Sequence, residues 1–133
     1  MQAQNRKEQI KVLFVDDDEA FLKSAKKILT LKDSFKIESA YSVKEAQEKM
    51  KQTETDVIVC DIQMPEKDGF EFLKMLRNEN NKIPFIVFTV TEDKETALKA
   101  FNLGANGFVG KYGDPETVFA TLQRCIEKSV STR

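Results

Sequence analysis

Asp16-Asp17-Asp18-Glu19, Asp61, Thr89 and Lys111 each stand directly after a short apolar run or within two residues of one. Together they offer clustered carboxylates, a lone carboxylate, a hydroxyl and an ammonium. Clustered carboxylates repel one another, and their pKa values rise unless a cation compensates. An oxygen-only donor set suits Mg2+, which takes one or two carboxylates and completes its shell with waters and phosphate oxygens. A carboxylate beside such a cation is a competent nucleophile toward phosphorus and yields an aspartyl phosphate. Cation, lysine and hydroxyl can then share the charge spread over the equatorial oxygens during transfer. The chain contains no histidine, which sets aside a zinc site or a His-assisted nucleophile. Any phosphohistidine in such a reaction must belong to a partner.

These residues act together only if the fold brings them to one place. Five apolar runs, at 10–15, 35–40, 56–60, 84–89 and 106–109, alternate with five helical patterns. Val12 to Val15, Val57 to Cys60 and Phe85 to Phe88 are continuously apolar, as strands are when helices cover both faces of a parallel sheet. Phe35-Lys36-Ile37-Glu38 alternates instead, as an edge strand does. Helical spacing puts Phe21, Ala25, Ile28 and Leu29 on one face, and Val43, Ala46 and Met50 on a second. Phe72, Leu73 and Leu76 form a third face, Ala97, Ala100 and Phe101 a fourth, and Val118, Leu122 and Ile126 a fifth. Ser42 with Glu45 reads as a capping box, Pro115 as a first-turn proline, and Gly104 as the stop of the fourth helix. Strict alternation means an α/β fold with right-handed crossovers around a parallel sheet. In such a sheet ligands bind beyond the carboxyl ends of the strands, where the acidic and basic residues above collect.

Composition narrows the rest. The 133 residues suit one domain, with 41% hydrophobic and 32% charged residues. A net charge of -1 gives no electrostatic support for a direct nucleic-acid partner. No run approaches the roughly 18 apolar residues of a membrane span. The polar start lacks a signal-peptide core, so a cytoplasmic protein without a membrane partner is expected. The expected organisation is a flexible N-terminal tail over 1–9, one domain over 10–129 and a C-terminal tail over 130–133. Cys60 and Cys125 lie far apart with no CxxC pair and read as small apolar fillers.

The ordered set of motifs resembles the receiver domain of two-component response regulators, the stand-alone chemotaxis receiver among them. It is carried by Val15-Asp16-Asp17, by the run from Asp61 through Ile62-Gln63-Met64-Pro65-Glu66-Lys67-Asp68 to Gly69, and by Thr89 and Lys111. It spans about residues 11–128. The resemblance implies a flavodoxin-like (βα)5 fold, a doubly wound five-stranded parallel sheet in strand order 2-1-3-4-5. It implies Asp61 as phosphoacceptor, and Mg2+ held by Asp16, Asp17, Asp61 and the backbone carbonyl of Gln63, with Asp17 the more direct of the adjacent pair. Thr89 would bond the phosphoryl oxygens, Lys111 would pair with them, and Phe108 would be the aromatic switch residue beside Thr89. The implied role is a phosphoryl-accepting switch of a two-component phosphorelay. It would catalyse its own phosphorylation and slow autodephosphorylation, without a separate substrate. Implied partners are a sensor histidine kinase or phosphotransfer protein and a downstream target or fused output domain. A phosphorylation-dependent dimer through the fourth and fifth helices also fits the resemblance.

Plainer readings stand beside these roles. Asp18 and Glu19 suit the N-terminus of the next helix, and Asp68-Gly69 reads as a turn. Two positions depart from the family pattern. Val90 stands where alanine or glycine is usual and would crowd the entrance to the site. Tyr112 replaces the proline that usually follows the lysine, so the Lys111–Tyr112 loop is expected to be trans and re-routed, or strained. These departures keep a second function open, a degenerate receiver acting as a constitutive protein-interaction module. A haloacid-dehalogenase-type phosphohydrolase needs a second aspartate where Gln63 stands. A flavin or nucleotide carrier needs a phosphate loop where Asp16 to Glu19 would repel phosphate.

Overall fold

The computed structural model describes residues 9–132. In chain order the elements are β1 (Ile10–Val15), α1 (Glu19–Leu29), β2 (Phe35–Ala40), α2 (Val43–Gln52) and β3 (Val57–Cys60). There follow α3 (Gly69–Asn78), β4 (Phe85–Thr89), α4 (Lys94–Asn102), β5 (Gly107–Gly110) and α5 (Pro115–Ser131). All four strand pairings are parallel, and the sheet order is β2-β1-β3-β4-β5. This is the flavodoxin-like arrangement that the resemblance implies.

Successive side chains of a strand point to opposite faces, and here each parity has its own core. Val12, Phe14, Val57, Val59, Ile86, Phe88 and Val109 pack against α1 and α5 through Leu22, Ala25, Leu29, Val118, Leu122 and Ile126. Leu13, Val15, Ile58, Cys60, Phe85 and Val87 pack against α2, α3 and α4 through Val43, Ala46, Phe72, Leu73, Leu76 and Ala100. Continuous apolar runs are thus what burial on both faces demands. β2, at the sheet edge, keeps Phe35, Ile37 and Ala40 inside and Lys36 outside.

Several local expectations change. In the fourth helix only Ala100 is buried, and Phe101 is 49% exposed beside Leu98 at 53%. α4 touches the sheet along a narrower stripe than its apolar spacing suggests. Asp68 is no simple turn residue: it caps α3, its carboxylate accepts from the Glu71 amide, and Glu71 bonds back to the Asp68 amide. Ser42 does cap α2, but Glu45 reaches the Tyr41 amide instead of completing the box on Ser42. Asp114 with Pro115 starts α5, and Gly104, at φ 104°, follows α4 as expected. α5 runs to Ser131, so part of the expected C-terminal tail is helical, with Val130 packed on the core. Of the expected N-terminal tail, residues 1–8 lie outside the described residues, as does Arg133. Cys60 is fully buried in the second core and Cys125 half-buried against the first, in keeping with filler roles.

Candidate functional site

Three backbone hydrogen bonds continue the parallel ladders past the strand ends. The Asp16 amide donates to Ala40, the Asp61 amide to Val15 and the Lys111 amide to Thr89. The first residue after β1, β3 and β5 is therefore held as rigidly as the strands themselves. Thr89 closes β4 and is fully buried; Asp16 is buried at 1% exposure and Asp61 at 8%. Register alone brings these residues, distant in sequence, to one edge of the sheet.

Lys111 joins them. Its Nζ donates to Asp16 Oδ2 at 2.5 Å and to Asp61 Oδ2 at 3.0 Å. Burial acts to lower the Lys111 pKa, but the bonds and charges of Asp16 and Asp61 outweigh it and hold the ammonium above lysine's ordinary value. For Asp16 the balance tips the other way: burial lifts its carboxyl above the usual range despite the Lys111 bond. One cation thus offsets two carboxylates in a site largely closed to water.

The rest of the shell positions these groups. Asp16 Oδ1 accepts from the Asp18 amide at 3.0 Å, and Asp61 Oδ1 accepts from the Gln63 amide at 3.3 Å. Thr89 Oγ1 accepts from the Thr91 amide at 3.3 Å. Asp18 caps α1 by accepting from the Phe21 amide, the plainer role expected of it. Gly69 packs so closely over Asp61 that a β-carbon there would collide with the Asp61 carbonyl oxygen. That close approach explains why a glycine opens α3. Asp17 and Gln63 are exposed at the same edge, and Phe108 is half-buried against the second core.

The two departures from the family pattern leave this geometry standing. No peptide bond among the described residues is cis, and Lys111 still reaches both carboxylates. The turn after it is carried by exposed Tyr112 and by Gly113 at φ 115°. Val90 is 41% exposed.

Two contacts were not visible in the sequence pattern. The Lys111 Nζ lies over the Phe21 ring, 4.5 Å from its centroid, and 5.7 Å from that of Phe88. Both phenylalanines read as core residues from spacing alone. The excess of phenylalanine, ten in the chain, is the one compositional hint.

Asp16 and Asp61 both face the point that the lysine ammonium occupies. Such an oxygen-only pair fits Mg2+, which needs few protein ligands and retains waters. Among the described residues no three Asp, Glu, His or Cys side chains form a ready cage for a metal. No helix among them is long and apolar enough to cross a membrane.

Known proteins share this framework. The family model described as response regulator receiver domain matches residues 12–123. The response regulator GtcR of Aneurinibacillus migulanus is 29% identical over 119 residues, covering 90% of this chain and 49% of that protein. The protein-glutamate methylesterase/protein-glutamine glutaminase of Treponema denticola is 33% identical over 127 residues, covering 90% of this chain and 34% of that protein. The chain thus spans about half, or less, of the length of these curated relatives. Among solved structures, the chemotaxis response regulator CheY4 of Vibrio cholerae superposes with a TM-score of 0.78 at 32% identity, covering 89% of this chain and 99% of that one. The receiver domain of DrrB, activated with BeF3, gives a TM-score of 0.73 at 26% identity, covering 90% and 99%. With the family model matching most of its length, the chain belongs to the response regulator receiver domain family.

Proposed function

We propose that the chain is a phosphoryl-accepting switch in which Asp61 is the acceptor. The observation that supports this most strongly is the ammonium of Lys111 shared between Asp16 and Asp61, residues that follow three different strands. An Asp61 carboxylate oxygen attacks the phosphorus of a phosphohistidine on a partner kinase or phosphotransfer protein. The P–N bond breaks, the imidazole leaves, and an acyl phosphate forms on Asp61. Asp16, Asp17, Asp61 and the Gln63 carbonyl would hold Mg2+, which supplies charge neutralisation for the transferring group.

The chain's own residues then respond to the new charge. Lys111 transfers its pairing from the Asp61 carboxylate to a phosphoryl oxygen. Thr89, whose hydroxyl now accepts from the Thr91 amide, turns its O–H toward the phosphoryl group. Phe108 lies one strand over, paired in register with Val87 on β4, and moves inward as the threonine shifts. The surface of α4, β5 and α5 changes, and a target protein or output domain reads the change. A two-state element biased by one local charge is the general form of such switches.

Intact mass after incubation with acetyl phosphate and Mg2+ tests this reading. Wild type gains one phosphoryl group, while Asp61→Asn and a chelated sample gain none. If wild type stays unmodified even with a phosphohistidine donor, the switch reading falls. A constitutive protein-interaction module then becomes the better account.

A further inference from the structure

We propose that Phe21, backed by Phe88, is a positioning residue for Lys111: its ring forms an aromatic seat that aims the ammonium at the phosphoryl-accepting carboxylate. A lysine ammonium has three N–H donors. Two directions are taken by Asp16 Oδ2 and Asp61 Oδ2, and the face of Phe21 lies against the same nitrogen at 4.5 Å. A ring face carries the negative end of the aromatic quadrupole and attracts a cation, more strongly where water is excluded. The Lys111 side chain is only 10% exposed, so the seat operates under those conditions.

The seat is itself anchored. Phe21 stacks on Phe119 at 6.0 Å between centroids and lies 5.8 Å from Phe88, while Phe14 and Phe119 each meet Phe88 edge-on. These four rings form a block under the site, between the first strand, the fourth strand and the helices that cover them. The Phe21 backbone is fixed too, because its amide donates to the Asp18 cap. The contacts close a circuit. Asp16 accepts from the Asp18 amide, Asp18 accepts from the Phe21 amide, the Phe21 ring holds Lys111, and Lys111 returns to Asp16.

Such a seat answers a need of this chain. The backbone of Lys111 is pinned by its amide bond to Thr89, but Tyr112 and Gly113 beyond it run out through solvent. A long side chain samples many rotamers unless something fixes its far end, however firmly its backbone is held. Phe21 supplies that restraint without competing for hydrogen bonds. Lys111 can therefore exchange a carboxylate for a phosphoryl oxygen without leaving its place. This role rests on the function proposed above.

Three variants test it: Phe21→Leu keeps apolar bulk and removes the ring, Phe21→Tyr restores a ring face, and Lys111→Met removes the cation. The ε-methylene protons of Lys111, assigned by their loss in Lys111→Met, should resonate upfield in wild type and Phe21→Tyr. They should return to ordinary lysine positions in Phe21→Leu. With acetyl phosphate and Mg2+, Phe21→Leu should be phosphorylated about two- to fivefold more slowly than wild type, and Phe21→Tyr should recover the rate. In a Lys111→Met background Phe21→Leu should cause no further slowing. Equal rates for wild type and Phe21→Leu, or equal slowing in both backgrounds, would overturn the role. If wild type accepts no phosphoryl group, the functional reading fails by itself. The seat is then judged by the lysine resonances, and ordinary positions in wild type would overturn it.

Discussion

The two ends of the sheet both rely on one long cationic side chain, and they use it in opposite ways. At the carboxyl end Lys111 binds two carboxylates, charged groups that the proposed function would re-pair. At the amino end Arg77 donates through Nε and Nη2 to the Gly104 carbonyl, through Nη1 to the Asn81 carbonyl and through Nη2 to Asn106 Oδ1. Asn106 in turn accepts from the Phe85 amide and donates its own amide to Phe85. Arg77 thereby ties the end of α3 to the starts of β4 and β5 through neutral backbone acceptors. One end holds charge that can be re-paired; the other holds charge in a closed clasp. The proposed switch needs both, because a local change is transmitted only if the rest of the fold does not yield with it.

Removing each cation should separate the two roles. Lys111→Met leaves Asp16 and Asp61 facing each other without compensation, a loss of about 3 kcal/mol in chelator. Denaturant unfolding should show that loss, and added Mg2+ should recover part of it. Gly69→Ala ranks next, at about 2–3 kcal/mol, because its β-carbon meets backbone at Asp61 and Ile62, which cannot yield as a side chain can. It should also slow phosphorylation, since the displaced backbone carries Asp61, the proposed acceptor. Arg77→Ala should cost about 1 kcal/mol, because the freed carbonyls of Gly104 and Asn81 are within reach of water. Its phosphorylation rate should match wild type once the folded fraction is equal, and Arg77→Lys should not restore stability, lacking the planar fork. Val90→Ala is the mildest change. Stability should stay within about 0.5 kcal/mol, and labelling by acetyl phosphate should be faster if the exposed valine crowds the entrance. An unchanged rate would remove Val90 from the account.

The same contrast explains what the sequence could reveal. The carboxyl end was legible because each chemical residue follows an apolar run, and a parallel sheet sends the ends of such runs to one edge. Strand order came from the resemblance, since periodicity fixes faces and not neighbours. The amino-end clasp left no trace, because Arg77 bonds mainly to backbone carbonyls, which any residue supplies. The cap at Asp68 had its signal in Glu71 three positions on, and the glycine beside it masked that signal as a turn. Phe101 and Phe21 show the limit of helical spacing. Phe101 has core spacing yet stands half exposed on a helix that touches the sheet narrowly. Phe21 has core spacing as well, and its ring also serves a lysine ninety positions away in the chain.

The most direct test of the two-ended account is an amide NMR comparison of the protein with and without beryllofluoride and Mg2+. Large shifts are expected at Asp61, Thr89, Thr91, Phe108 and Lys111, with the amides of Arg77, Gly104, Asn106 and Phe85 nearly still. Shifts spread evenly over both ends, or none at Asp61 and Lys111, would contradict it.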